Sequence, residues 1–149
     1  MSTPNESTAY KLKSSSQKKV TVKDDELGNL EFVIRAMSTY ELAENSDVFE
    51  NLPEKTGQEM SVKERGVFMK NVMFPLLKSI LPLCVISPKI TLDFNDKDLV
   101  DPNANVIHLS HLNINTAGHV FNEILSISGL SKKAEEIKKK LAEQTSPSS

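Results

Sequence analysis

Cys84, three histidines and a run of four aspartates are the residues of this chain whose chemistry asks for attention first. A nucleophilic thiol needs a cationic or helix-N-terminal setting that lowers its pKa. Cys84 instead lies between Leu83 and Val85-Ile86, so it reads as a small core residue. His108 and His111 stand three apart, with His119 further on. Structural zinc generally takes four Cys or His ligands, and the catalytic pattern H-E-x-x-H is missing, so these read as surface or partly buried imidazoles. Asp93, Asp96, Asp98 and Asp101 resemble a calcium loop, but the register fails. Lys97 takes the fifth place counted from Asp93, and Val100 the fifth counted from Asp96. The five glycines form no phosphate-binding cluster. No catalytic, cofactor or metal constellation emerges, and the chain is expected not to be an enzyme.

The strongest remaining signal is apolar. "FPLLKSILPLCVISPKI", residues 74–90, has three prolines and no acid. Lys70, Asn71, Lys78, Ser79, Pro82 and Ser87 interrupt the region, which argues against the nearly continuous run of about 20 apolar residues that a bilayer requires. A capping box, Ser61 to Glu64, opens the helix that leads into it. Polar pairs at 63/64, 70/71 and 78/79 leave one narrow wet stripe. Pro75 and Pro82 predict kinks or two shorter helices, and Pro88 an end.

Around this element the pattern is simpler. Val20 and Val22, then Phe32 and Ile34, alternate with polar residues across "KDDELGN" and predict a β-hairpin. A second capping box, Ser38 to Glu41, predicts a helix to about Phe49, with a break at Pro53 and Gly57. Residues 93–111 read as a polar loop. An amphipathic helix follows from about Asn113, closed by Gly129 in a left-handed cap with Leu130 as its apolar contact. The expected architecture is mainly α, a small N-terminal hairpin packed on a bundle of about four to five helices. Its parts are a disordered leader over 1–17, a single helical domain over 18–130, a charged helix over 131–144 and a disordered tail over 145–149.

At 149 residues the chain suits one domain, with a mainly aliphatic core because aromatics reach only 5% and tryptophan is absent. One cysteine excludes an intramolecular disulfide, and residues 1–19 lack the apolar stretch of a signal peptide, so a reducing, cytoplasmic setting is expected. The ends are basic, while the 111 central residues carry nine basic and sixteen acidic side chains, about −7. Only Tyr10 interleaves with the terminal lysines, so nucleic-acid binding is not favoured.

Three segments in order carry a resemblance. They are Arg35 and Glu41 at the entry to the helices; Cys84, Val85, Pro88, Lys89 and Ile90 midway; and Glu123, Ile124, Ile127, Ser128, Gly129 and Leu130 at the close. Over about residues 20–131 the chain resembles the tail assembly chaperones of tailed bacteriophages, in the short form of phages with Gram-positive hosts. The resemblance implies a non-enzymatic protein of the host cytoplasm that coats the tape measure protein during tail tube assembly. The tail tube protein and further copies of the chain are additional partners to test. The Ser/Lys-rich leader, Pro75 with Pro82, and the basic helix after Gly129 depart from the pattern. Phe68, Phe74, Leu77 and Leu81 are the expected partner contacts. The competing reading is that the hairpin and the helices over 39–49 and 114–128 cover this face. Two rival functions are a permanent virion component, such as a baseplate or head–tail connector subunit, and a nucleic-acid-binding adaptor using the basic ends.

Overall fold

The computed structural model describes residues 17–24, 27–50 and 52–141. The leader up to residue 16, residues 142–144 of the expected C-terminal helix and the tail lie outside them.

The hairpin forms as its alternation requires. β1 (Lys18–Asp24) pairs antiparallel with β2 (Gly28–Ile34), with Val20 opposite Phe32. Val20, Phe32 and Ile34 point inward and are buried. Asp24 ties the hairpin's end to the rest of the molecule. Its Oδ1 accepts from the Leu27 N–H at 2.9 Å and its Oδ2 from the Thr116 hydroxyl at 2.8 Å.

Both capping boxes are present, Ser38 with Glu41 and Ser61 with Glu64, each satisfying backbone N–H groups that the first helical turn leaves free. The first opens α1 (Thr39–Glu44), which stops at Asn45 and resumes as the short α2 (Ser46–Glu50), where one helix was expected. The second opens α3 (Val62–Cys84).

Kinks or two shorter helices were expected at Pro75 and Pro82; two α-helical stretches, Val62–Phe68 and Phe74–Cys84, are joined by a π-helical turn just before Pro75, and Pro82 lies inside the second. Residues Met69–Met73 form a π-helical turn in which the Phe74 N–H donates to the Met69 carbonyl, five residues back. A proline ring clashes with the carbonyl four residues earlier and leaves it without a donor. The wider turn just before Pro75 gives that ring room and returns the chain to α geometry from Phe74. By length and by a mean hydropathy of 1.4 over its most apolar window, α3 does meet the requirement for a membrane-crossing helix. In the fold 39% of that window is buried, and Met73, Leu76, Ile80, Leu81 and Cys84 belong to the core.

The mainly-α expectation needs correction. Helices take 54% of the described residues and strands 19%, and the hairpin is not alone. α3 ends at Cys84, before Pro88, and the chain leaves it as β3 (Val85–Ser87), which pairs antiparallel with β2 across a bulge at Val33/Ile34. A three-stranded sheet results. The Ser87–Pro88 peptide is cis, and β4 (Lys89–Thr91) follows. β4 pairs in parallel with β5 (Val106–His108), setting Thr91 beside His108. The molecule is therefore an α+β unit with a second, two-stranded sheet, one strand of which, β5, lies inside the region expected to be loop. β-Branched Val85, Ile90, Thr91, Val106 and Ile107 supply strand preference that the surrounding polar residues concealed.

α4 (Ile114–Ile127) lies between the hairpin and α3, burying Ala117, Val120, Phe121, Ile124 and Leu125. It closes as expected. Gly129 takes φ +82°, the Leu130 N–H bonds to the Leu125 carbonyl and the Gly129 N–H to that of Ser126, which is the paired closure of a Schellman cap. α5 (Ser131–Leu141) folds back on α4 through Ala134 and Ile137.

Candidate protein-binding groove

The four expected contact residues separate. Phe68, Leu77 and Leu81 are buried in the core, at 4%, 2% and 0% exposure, and α4, β3 and β4 pack against α3. Phe74 remains 45% exposed. Phe74, Leu77 and Lys78 stand at i, i+3 and i+4, so they share one side of α3.

That side walls a groove of about 720 Å³. Further lining comes from Leu92 and Phe94 after β4, from His108 at the end of β5 and from Leu109 and Leu112 before α4. Ile114 and Ala117 of α4 also line it. Leu92 and Phe94 are 46% and 67% exposed, so with Phe74 they set three large apolar side chains around one opening. Such clustering is typical of surfaces that bind another polypeptide.

His108 is the polar centre of the wall. It is 95% buried and stacks under Phe94, with ring centroids 3.6 Å apart and planes 15° from parallel. Its Nδ1 accepts from the Ser110 backbone N–H at 3.1 Å and lies 2.8 Å from that residue's hydroxyl. An imidazole nitrogen that accepts carries no hydrogen, so the proton of the neutral ring is on Nε2. Nε2 is buried without a partner among the described residues. Leaving such a donor unsatisfied costs about 1–3 kcal/mol.

The loop leading to this wall is more ordered than its composition suggests. Lys89 pairs with Asp96 at 3.0 Å and Asp98 at 3.7 Å. Asp93, Asp96 and Asp101 each accept a backbone N–H two residues on, and Lys97–Val100 forms a 3-10 turn. Backbone hydrogen bonding by Asp98 and the Lys89 ammonium hold the Asp96 carboxyl below its ordinary pKa. The aspartates brace the loop that presents Phe94. Among the described residues no group of three His, Cys, Asp or Glu is placed to hold a metal ion.

A second cluster lies at the C-terminal end of α3. Arg35 grips Glu41 with two parallel hydrogen bonds of 2.9 and 2.8 Å, and Glu41 Oε1 also accepts from the Ser38 N–H. The Arg35 hydrogen bond pulls the Glu41 carboxyl down to about 2. Cys84 Sγ lies 3.9 Å from Glu41 Oε1, and burial pushes the thiol up to about 12. The Arg35 backbone N–H bonds to the Cys84 carbonyl at 2.9 Å. Arg35, Glu41 and Cys84 thus tie β2, α1 and the end of α3 together, and the thiol has no nucleophilic setting.

Leu92, Phe94, Leu109 and Leu112 were not anticipated as site residues. A signal did exist: Leu92 and Phe94 are the large apolar residues of an otherwise polar stretch. Fold and groove together define a small α+β protein with an apolar surface groove. Comparison of the chain with protein-family models, with curated proteins and with solved structures gives no match.

Proposed function

We propose that the chain is a non-enzymatic tail assembly chaperone of a tailed bacteriophage. It acts in the host cytoplasm and keeps the tape measure protein soluble until tail tube subunits polymerise around it. The observation that carries this reading is the exposed apolar opening formed by Phe74, Leu92 and Phe94. A chaperone for an aggregation-prone chain must offer apolar surface that binds reversibly, and a braced groove on a folded scaffold provides it. The ordered resemblance of residues 20–131 to such chaperones supplies the identity of the client.

The test is co-expression with the product of the very long open reading frame expected immediately downstream. The client should move from the pellet to the soluble fraction when the chain is present. Unchanged client solubility would remove the chaperone reading.

A further inference from the structure

β1 is an open edge of the three-stranded sheet, whose order is β1-β2-β3. Its main neighbours are β2 and α4, and among the described residues no backbone group outside the hairpin bonds to it. α4 fastens both ends of the strand: Lys18 Nζ donates to Glu123 at 2.7 Å, and the Thr116 hydroxyl donates to Asp24 at 2.8 Å. On the opposite face Lys19, Thr21 and Lys23 are exposed. A strand without a neighbour turns alternate N–H and C=O groups outward, which is a template for another chain. Proline, a bulge or a very short strand closes such an edge. β1 has none of these: its seven residues pair with β2 in unbroken register, and the bulge in β2 lies on the β3 side. What guards the edge is lysine. A second copy of β1 paired antiparallel about Thr21 would set Lys19 against Lys23 twice, and like charges directly opposite are unfavourable.

We infer that β1 pairs with an extended acidic segment of a partner polypeptide, which joins the sheet beside it. The open row of backbone groups demands another backbone, because a strand laid alongside satisfies donors and acceptors along its whole length. Charge then selects the sequence. Lys19 and Lys23 share a face with Thr21 between them, so the partner's acids belong at the same spacing, opposite the two ammonium groups. The residues between the acids lie on the side of buried Val20 and half-buried Val22 and are apolar. Because α4 already holds both ends of β1, the strand is ordered before the partner arrives, and binding costs less. No residue of β1 lines the apolar groove, so this surface is separate from the one that carries the chaperone reading.

The experiment uses the full chain and three end-capped peptides of equal length. The first alternates glutamate, valine, threonine and valine; the second has lysine in place of glutamate; the third is the first with its internal amide nitrogens methylated, which keeps the charge and removes the donors. Calorimetry should show the first peptide binding at least about tenfold more tightly than either of the others. Hydrogen exchange of the β1 amides should slow when it binds. Lys19→Glu/Lys23→Glu alters exposed side chains, so the variant should keep its circular dichroism spectrum, and it should prefer the lysine peptide. Lys78→Glu, in the groove, should leave the affinity for the glutamate peptide unchanged. Equal binding of the glutamate peptide and its methylated form would reduce the effect to charge attraction and overturn the inference. No binding, unchanged exchange at β1, or a glutamate preference retained by the folded Lys19→Glu/Lys23→Glu chain would overturn it too. Dimerisation of the chain alone in sedimentation, with slowed exchange at β1, would assign the edge to a second copy and contradict the inference. If the variant does not fold, the methylated peptide and the exchange at β1 of the wild-type chain decide.

Discussion

Glu41 holds three jobs at one carboxylate: it receives the Arg35 fork, completes the α1 cap and lies against the Cys84 thiol. Its folded pKa of about 2 lies below the ordinary value of 4.5, so the charged form is the one that folding favours. The stability it contributes is therefore complete above about pH 4.5 and is lost as pH falls towards about 2. Urea unfolding followed across that window should show wild-type stability rising with pH, and Glu41→Gln should flatten the rise. At neutral pH the same substitution should cost about 3 kcal/mol, because Arg35 is left without its partner. Cys84, with its thiol raised to about 12, should resist an aromatic disulfide reagent at pH 8 until the protein unfolds. Rapid labelling of the native protein would contradict the buried, unactivated thiol. Glu41 was legible as part of its capping box and Cys84 from its apolar neighbours, whereas Arg35 was singled out only by the resemblance. The role of His108 was not legible, because its demand for an acceptor arises from Ser110 and Phe94 closing around it.

At the scale of elements, α3 shows where local rules stop. Its capping box and apolar composition were readable, and so was an irregularity near the prolines, but not its form: a π turn at Met69–Met73 between two α-helical stretches, with Pro82 accommodated inside the second. A proline forbids one hydrogen bond; which relief the chain adopts depends on what packs around it. Here the core holds Met73, Leu76 and Leu77 in place. Leu81→Ala should accordingly destabilise by about 2–5 kcal/mol in chemical denaturation, the range for emptying a fully buried leucine site. The α4 cap was legible in full because Gly129 and Leu130 are a local pair. Gly129→Ala should cost about 1–2 kcal/mol, since φ of +82° crowds a Cβ against the backbone. β3 and β5 were missed for the opposite reason: each is three residues long and exists only because a distant partner strand is present.

For the molecule as a whole, the sheets change where function sits. Had the hairpin stood alone on a helical bundle, the broad face of α3 would have been the natural surface for a partner. With β3 joined to β2 and β5 joined to β4, most of that face is core and the exposed apolar surface moves to one side. Phe74 is the expected contact residue exposed there; Phe94 comes from the stretch taken for a solvated loop and Leu92 from just before it. The most direct test of the account is client solubility on co-expression with Leu92→Ser/Phe94→Ser. Leu92 and Phe94 are largely exposed, so the double variant should still fold, with a small loss of stability from the missing Phe94–His108 stack that urea unfolding would read. The account predicts that wild type keeps the tape measure protein in the soluble fraction and that the folded double variant returns most of it to the pellet. Equal rescue by the two chains would contradict the groove as the binding surface.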